Sequence, residues 1–344
     1  MRRYGCLVGV MGVLGSLIGL APAAGALTLR PAPSSPYAVP YGEPVSAAVA
    51  DFTGDGLLDF VLGTNGFDHS NTPGREGLSV FLPDGAGGFR PAGAPTSLGG
   101  GSPVSTVAAD FNGDGRSDLA AANSGAVWVF LSTGAGRFAP APGSPIQAPQ
   151  AVKIVAADFN GDRRSDLAVL NLDGTISLLL GSGQGTFTPA PGPPIALRGG
   201  SPGSIAVGDF NRDGRADLAV TDYSHGAVTV LLGDGDGTFT PSKDSPLGVG
   251  SMPGTVVVGD FNGHGRQDLA IATYAGVSVL LGRGDGTFTS APGSPLLLPD
   301  RSPTGLAAGD FNGDGRQDLA VGNQNFGSGL DLLLGDGSGA FRFA

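Results

Sequence analysis

One ten-residue pattern recurs along the chain and constrains its fold more than any other feature. Its fullest form reads DFNGDGRQDL at residues 310–319. The six copies begin at Asp51, Asp110, Asp158, Asp209, Asp260 and Asp310. Their starts are 59, 48, 51, 51 and 50 residues apart. A period near 50 residues is typical of repeat architectures in which each unit buries its surface against its neighbours.

Each repeat predicts four short strands. In the fifth repeat the runs are TVVVG, DLAIA, VSVLLG and TFTS, and turns rich in glycine or proline separate them. Such runs are typical of antiparallel strands, and 62 glycines and 27 prolines disfavour long helices. We therefore predict an all-β fold, a β-propeller of four-stranded antiparallel blades, rather than a linear β-solenoid, whose repeats are usually shorter. Small residues in the first run suit a crowded centre: Ala47, Ala48, Ala108, Ala156, Ala157, Gly208, Gly259 and Ala307.

Six blades are the favoured count, and seven are the alternative. The repeats span about 45–92, 104–141, 152–190, 203–241, 254–292 and 304–344, within a single domain over residues 27–344. The segment that follows residue 26 resembles the links between repeats, so it could add an outer strand to the last blade. The C-terminal AFRFA could fill that place itself. We expect the N-terminal segment to lie near the C-terminal blade.

Residues 1–26 have the features of a signal peptide. Arg2 and Arg3 precede a short apolar run, and Ala24-Gly25-Ala26 forms a small-residue cleavage site, with an uncleaved membrane anchor as the alternative. We predict a secreted, periplasmic or cell-surface protein with no membrane span in the mature chain. The sole cysteine, Cys6, lies inside the signal, so the mature chain has no disulfide.

The charge of the chain is concentrated in the recurring pattern. The net charge is −11, and removing Arg2 and Arg3 with the signal makes it −13. The six loops hold 17 of the 30 acidic residues. A polyanionic protein repels phosphates, which excludes nucleic acid as a partner.

The loop chemistry predicts calcium. Calcium takes six to eight oxygen ligands, often from alternate positions of an acidic loop. In the last loop these are Asp310, Asn312, Asp314 and the carbonyl of Arg316, with Asp318 at position nine as a further carboxylate. The equivalent ligands elsewhere are Asp51, Thr53, Asp55, Leu57 and Asp59; Asp110, Asn112, Asp114, Arg116 and Asp118; Asp158, Asn160, Asp162, Arg164 and Asp166; Asp209, Asn211, Asp213, Arg215 and Asp217; and Asp260, Asn262, Arg266 and Asp268. Up to six Ca²⁺ ions are expected. A strand follows each loop at once, which argues against an EF-hand.

Four loops depart from the full pattern. Thr53 replaces the third-position amide in the Asp51 loop, Arg163 replaces the bend glycine in the Asp158 loop, and His264 replaces a carboxylate in the Asp260 loop. Arg212 stands at position four of the Asp209 loop. We expect the Asp110, Asp209 and Asp310 loops to bind calcium most tightly, because they keep every expected ligand.

At these residues the sequence resembles the FG-GAP/VCBS repeat proteins, whose propellers resemble the head of integrin α subunits. The D-x-N-G-D-G-x-x-D-L loop and a later LLG-x-G-x-G-x-F hairpin carry the resemblance across residues 45–344. It implies calcium loops between strands one and two of each blade and ligand binding mainly on the opposite face. Integrin heads have seven blades, whereas six loops are present here.

The ligand face should carry the loops between strands two and three. The candidate ligand residues there are Asn65, Phe67, Asp68, His69, Asn71, Arg75, Tyr223, His225, Tyr274, Asn325 and Phe326. Polar groups beside aromatic rings suit recognition of an extracellular glycan or protein. We therefore predict a monomeric binding or adhesion module. Binding is preferred over catalysis because the sequence has no GxSxG motif and no recognisable nucleophile-and-base spacing. The alternatives are a polysaccharide lyase or hydrolase, or a purely structural envelope component.

Overall fold

The structure is a computed structural model. It describes residues 44–65, 76–94, 96–98, 101–148, 150–197, 200–298, 302–324 and 329–344. The predicted signal peptide and the N-terminal segment up to residue 43 lie outside these residues. Within the described ranges, no helix is long and apolar enough to cross a membrane.

Six antiparallel sheets follow one another along the chain, and each forms one blade. The sheets have four principal strands in the order of the sequence, as the repeats predict. Blade 1 contains β1 (Pro44–Ala50), β2 (Asp59–Asn65), β3 (Glu76–Pro83) and β4 (Phe89–Pro91). Blade 2 contains β5 (Ser105–Ala109), β6 (Asp118–Ala122), β7 (Ala126–Gly134), β8 (Arg137–Pro140) and β9 (Ile146–Gln147). Blade 3 contains β10 (Ala151–Ala157), β11 (Asp166–Asn171), β12 (Thr175–Gly181), β13 (Phe187–Pro189) and β14 (Ile195–Ala196).

The remaining three blades repeat this arrangement. Blade 4 contains β15 (Pro202–Gly208), β16 (Asp217–Asp222), β17 (Ala227–Gly233), β18 (Phe239–Pro241) and β19 (Leu247–Gly248). Blade 5 contains β20 (Val256–Gly259), β21 (Asp268–Thr273), β22 (Gly276–Gly282), β23 (Phe288–Ser290) and β24 (Leu296–Leu297). Blade 6 contains β25 (Pro303–Gly309), β26 (Asp318–Asn323), β27 (Leu330–Gly335) and β28 (Phe341–Phe343).

The first strand of each blade lies innermost. The first strands contact one another in sequence, from β1 to β5, β10, β15, β20 and β25. The predicted all-β propeller with six four-stranded blades is therefore confirmed. The C-terminal strand β28 supplies the fourth strand of blade 6, which is the alternative that the AFRFA segment allowed.

Four blades carry a short strand that the sequence analysis treated only as a link. The two-residue strands β9, β14, β19 and β24 pair with the third strand of their own blades. They follow the fourth strand after a proline-rich turn. Because each has only two residues, no alternation of apolar and polar residues could identify them in the sequence. Through them, the link pairs with its own blade before the chain enters the next blade.

Phenylalanine pairs connect successive blades. In the first five acidic loops, the Phe at position two packs edge-on or tilted against the Phe of the fourth strand in the next blade. The pairs and their ring-centroid distances are Phe52–Phe138 at 5.4 Å, Phe111–Phe187 at 5.3 Å, Phe159–Phe239 at 5.9 Å, Phe210–Phe288 at 5.5 Å and Phe261–Phe341 at 5.6 Å. Such pairs contribute about 1 kcal/mol each beyond their area burial. The recurring DF dipeptide and the recurring G-x-F segment thus supply the two halves of one contact between blades.

Candidate functional site

The ring has two faces with different loops. The acidic loops between strands one and two share one face with the turns between strands three and four; we call this the acidic face. The loops between strands two and three open on the other side, the crevice face. This division follows from the up-and-down order of strands within every sheet.

The first aspartate of each acidic loop organises the loop backbone. In the second loop, Asp110 Oδ1 accepts a hydrogen bond from Gly113 N at 2.7 Å, and its Oδ2 accepts one from Gly115 N at 2.9 Å. Both glycines have positive φ, 75° and 82°, where a side chain would be strained. The position-one carboxylate therefore sits in a cradle of backbone N–H groups.

Two arginines adopt the conformation that glycine has in the other loops. Arg163 has φ of 65° at position six, and Arg212 has φ of 63° at position four. The Arg163 N–H still donates to Asp158 Oδ2 at 2.7 Å, so the loop keeps its shape. The replacement of the bend glycine by Arg163 therefore strains the backbone, and Arg212 is strained in the same way.

Positions three and five bring further oxygens to the same loop. In the third loop, Asp162 N–H is shared between Asp158 Oδ1 at 3.2 Å and Asn160 Oδ1 at 3.0 Å, so these two oxygens lie close together. The position-five carboxylate accepts the N–H of position seven, as in Arg164 N to Asp162 Oδ1 at 2.9 Å. The same bond holds Leu57, Arg116, Arg215 and Arg316.

The Asp260 loop differs because His264 stands at position five. Its backbone N–H still binds Asp260 Oδ1 and Asn262 Oδ1, both at 3.1 Å. No carboxylate is present at position five to accept the backbone N–H of Arg266. The side chain of Arg266 donates from Nε to Gly282 O at 2.9 Å. This loop has the frame of the others with one acidic oxygen donor fewer.

The ninth-position aspartates are fully buried at the start of the second strand. In blade 4, Asp217 Oδ2 accepts Phe210 N at 2.7 Å and its Oδ1 accepts Gly233 N at 2.8 Å. Equivalent pairs of bonds hold Asp118, Asp166, Asp268 and Asp318. Each of these carboxylates ties its loop to the end of the third strand, a structural role that the sequence analysis did not recognise. Burial raises the pKa of all four, and of Asp217.

Asp59 is the exception among the ninth-position residues. Its Oδ2 accepts Phe52 N at 2.9 Å and Thr53 N at 3.1 Å. Its Oδ1 is buried without a hydrogen-bond partner among the described residues, because the equivalent of Gly233 is Pro83, which has no N–H. Burial raises the pKa of Asp59 to about 6, and repulsion from Asp55 and Asp51 adds to the rise.

The side chains that were predicted to hold calcium therefore share six loops, but their carboxylates are engaged with backbone N–H groups. Among the described residues, no three His, Cys, Asp or Glu side chains surround a single point as a metal centre would require. The donor chemistry nevertheless fits a hard cation, since every loop combines carboxylate and amide or hydroxyl oxygens and no thiol. The uncompensated Asp59 Oδ1 is a further oxygen donor of the same kind.

A crevice of about 300 Å³ opens between blades 3 and 4 on the crevice face. Blade 3 contributes Gly174, Leu197 and Gly200, and blade 4 contributes Pro202, Val220, Thr221, Asp222, His225, Ala227, Thr229 and Pro246. Apolar side chains form most of the wall, with a few polar groups from the 2–3 loop of blade 4. That combination is typical of small-ligand sites.

Asp222 and His225 form the polar end of the crevice. Asp222 Oδ2 lies 2.7 Å from His225 Nδ1, while its Oδ1 accepts the N–H groups of Ser224 at 3.0 Å and His225 at 3.1 Å. A carboxylate partner fixes the proton on Nδ1, which leaves Nε2 as an acceptor. Gly200 lies so close to this carboxylate that any Cβ would collide with it. The pair is thus held in one orientation at an exposed edge.

Four of the predicted ligand residues lie among the described residues. Asn65 ends β2, and its carbonyl accepts a hydrogen bond from Ser102 Oγ at 2.8 Å. Tyr223, His225 and Tyr274 lie in 2–3 loops, and the two tyrosines are 46% and 62% exposed. Phe67, Asp68, His69, Asn71, Arg75, Asn325 and Phe326 lie outside the described residues. Of the four described residues, only His225 lines the crevice.

The predicted ligand residues did not include Asp222 or Thr221. Thr221 is fully buried, and its Oγ1 donates to Gly254 O at 2.9 Å, which joins blade 4 to blade 5. The aspartate was present in the TDYSHG loop, three residues before a histidine. That spacing was the available signal, but only the loop geometry shows that the two side chains meet.

Several solved structures share this fold at low sequence identity. An Agrocybe aegerita lectin that recognises non-reducing terminal N-acetylglucosamine is 22% identical, with a TM-score of 0.55, covering 86% of this chain and 77% of that one. A Burkholderia pseudomallei lectin is 17% identical, with a TM-score of 0.63 and coverages of 87% and 83%. A periplasmic gluconolactonase of Pseudomonas aeruginosa is 16% identical, with a TM-score of 0.60 and coverages of 88% and 84%. The fold therefore hosts both binding proteins and an enzyme.

The repeats themselves match a known family. No curated protein matches the sequence as a relative. The FG-GAP-like repeat, in contrast, matches five overlapping segments, residues 51–121, 110–169, 158–220, 213–271 and 260–321. These segments cover most of the chain and include every acidic loop, so this protein belongs to the FG-GAP-like repeat family.

Proposed function

We propose that this protein is an exported, calcium-stabilised propeller that binds a glycan on its crevice face. The observation that carries the proposal is the crevice between blades 3 and 4, which combines apolar walls with the oriented Asp222–His225 pair. A volume of about 300 Å³ is at the lower end of the range for small-ligand sites and is large enough for about one sugar ring.

The polar groups suit hydroxyl recognition. The Asp222 carboxylate and the free Nε2 of His225 are acceptors for sugar hydroxyl groups, and Leu197, Pro202 and Pro246 offer apolar surface for the faces of a ring. Tyr223 is exposed in the same loop and adds an aromatic surface beside the crevice. Two fold neighbours are lectins, which supports glycan binding over protein binding as the first hypothesis to test.

Calcium has a separate role in the proposal. Positions one, three and five supply the ligands in each loop, with the carbonyl of position seven, and the ion would neutralise carboxylates that repel one another at the Asp59 and Asp118 positions. The loops also contact the next blade, as in Gly185 N to Phe111 O at 2.8 Å. An ion that fixes a loop would thereby stiffen the contact between blades.

A glycan array with the full-length secreted protein tests the binding proposal. We expect capture of a defined set of glycans, and we expect Asp222→Ala and His225→Ala to reduce it at least tenfold. Asp236→Ala is the matched control, because Asp236 lies in the same blade on the acidic face and should leave capture unchanged. Loss of capture in the control as well, or no change in the two crevice variants, would overturn the assignment of the site.

The Asp222–His225 pair also gives the enzymatic alternative a specific form. A carboxylate that orients an imidazole is the arrangement that general-base catalysis uses. Incubation of the protein with polysaccharides, followed by assay for new reducing or unsaturated ends, decides between the two functions. Product formation that requires His225 would replace binding with hydrolysis or elimination as the function of the crevice.

A further inference from the structure

The six innermost strands place one charged residue in a layer of small ones. In every blade, one residue of the first strand pairs with the ninth-position aspartate of the acidic loop. The residue four positions before it belongs to the layer, so the members of the layer occupy equivalent positions in the six blades. The members are Ser46, Ser105, Lys153, Ser204, Thr255 and Gly305. Five blades thus have a hydroxyl group or no side chain at this level, and blade 3 alone has an ammonium group.

Lys153 lies on an innermost strand and has neighbouring strands on several sides. Its strand, β10, is covered by β11 on one edge and contacts β5 and β15 of the flanking blades. The residue is partly exposed, and because β11, β5 and β15 cover its strand on the other sides, the open side is the axis of the ring. Burial also lowers the pKa of its ammonium group, and no other cause contributes. Both findings fit a side chain that protein encloses on most sides and leaves open on one.

No described residue neutralises this charge. The Lys153 Nζ makes no hydrogen bond or ion pair with any of the described residues, and no neighbouring charge affects its pKa. The other lysine of the chain, Lys243, lies at the surface and is 4.0 Å from Asp285. An ammonium group that is partly enclosed and unpaired carries a free-energy penalty, which a serine at this position would avoid. A compensating anion removes that penalty.

We propose that Lys153 is the anchor of an anion site on the axis of the ring, and that the site takes a single carboxylate group. Lys153 is the third residue of β10 and lies about 7 Å from the end of the strand on the crevice face, so a ligand enters from that side. The unpaired inner edges of the first strands supply backbone N–H groups as additional donors. The inference does not depend on the glycan crevice between blades 3 and 4.

The charge balance favours a carboxylate over a phosphate. One ammonium group neutralises one negative charge, and no arginine stands in the same layer. A phosphate dianion would leave an excess charge inside a ring whose chain has a net charge of −11. Phosphate sites generally use several cationic or N–H donors in a fork, whereas a lone lysine acts as a point charge.

Lysine NMR of the full-length protein tests the site directly. With ¹³C-labelled lysine the chain has only two lysine Cε signals, and Lys243→Arg and Lys153→Met assign them. Sodium acetate is titrated at constant ionic strength against sodium chloride, and sodium galacturonate is compared with galactose. We expect the Lys153 signal to shift and saturate with both carboxylates, while Lys243 and the galactose titration show no saturable change. Saturation with galacturonate alone would identify a sugar acid as the source of the carboxylate.

Three results would overturn the proposal: no saturable shift at Lys153, equal shifts at both lysines, or saturation with inorganic phosphate but not with acetate. A stability measurement adds an independent check. Lys153→Met should raise the melting temperature by about 2 °C or more in carboxylate-free buffer and abolish any rise caused by acetate. Lys243→Met should change neither. If Lys153→Met does not fold, the titration of the wild-type protein still decides.

Discussion

The first acidic loop and the fourth share a sequence frame but differ in how their ninth-position carboxylate is held. Asp217 is buried and accepts a backbone N–H on each oxygen, from Phe210 and Gly233. Asp59 is equally buried, but Pro83 occupies the place of Gly233 and leaves Asp59 Oδ1 without a donor. A residue 24 positions away in the chain thus decides whether the same motif is compensated or electrostatically strained.

The difference separates two roles of the ninth aspartate, the predicted one of a metal ligand and the observed one of a structural link. In five blades the ninth aspartate is a structural link between strands, with both oxygens engaged. In blade 1 one oxygen is uncompensated and lies close enough to Asp51 and Asp55 to be affected by their charges. Blade 1 is therefore the place where the need for a cation is greatest, although Thr53 makes its ligand set less complete.

Calcium removal should have the largest effect. We expect EGTA to lower the melting temperature of the full-length protein clearly, because each ion that binds the folded state alone adds about 2.7 kcal/mol at 100 times its dissociation constant. Calorimetry should count up to six sites, and Asp114→Ala should remove one. A melting temperature that is indifferent to EGTA would mean that the acidic loops are self-capped turns, as their backbone hydrogen bonds allow.

A matched pair of substitutions tests the comparison itself. In calcium-free buffer, Asp217→Asn should cost about 2–3 kcal/mol, because the amide can accept only one of the two N–H groups and directs an NH₂ at the other. Asp59→Asn should cost little or stabilise the fold, because its NH₂ replaces an oxygen that has no donor and the substitution removes a buried charge. Urea unfolding measures both values. Equal losses would contradict the distinction between the two loops.

The pH dependence of stability should reveal Asp59. Its folded-state pKa is about 6, above the value of 3.8 in an unfolded chain, so the folded state holds the proton more tightly. Its contribution is complete below about pH 4 and is lost as pH rises through about 6, which lowers the unfolding free energy by about 3 kcal/mol. Pro83→Gly restores the N–H and should reduce this decline, whereas the same slope in wild type and Pro83→Gly would refute the explanation. The comparison is made in EGTA so that calcium does not mask it.

The smallest effects should come from the loop backbone. Arg163→Gly and Arg212→Gly should each raise the unfolding free energy by about 1 kcal/mol, because both arginines have positive φ. Gly313→Ala, at the position-four bend of the last loop with φ of 76° and open space around the added Cβ, should lower it by a similar amount. Differential scanning calorimetry of the three variants is sufficient. A loss of stability in both glycine variants would show that the arginine side chains compensate for the strain.

Much of the architecture could be predicted because its determinants are local. Short apolar runs, turns and a period near 50 residues predicted the strands and the blades, and the small residues of the first run predicted that it is the innermost strand. The bends of the acidic loops could also be predicted from the sequence, since Gly113 and Gly115 stand at positions where positive φ closes the loop. These features need no knowledge of distant parts of the chain.

The candidate sites required tertiary structure. The Asp222–His225 pair was within one loop, but the crevice beside it exists only because blade 3 supplies Leu197 and Gly200. The ninth aspartates read as metal ligands in the sequence, while the structure shows them bonded to the backbone of the third strand. Their role as calcium ligands stays a prediction.

The sequence by itself determined the repeat, the all-β blades and the acidic loops, because spacing, alternation and turn residues act over a few positions. Only the tertiary structure decided which groups lack a partner. Asp59 depends on Pro83 in a strand that pairs later, and Lys153 depends on six strands that converge on one axis. Burial and hydrogen bonding are properties of the assembled ring, so the charges that the fold leaves uncompensated cannot be read from any single repeat.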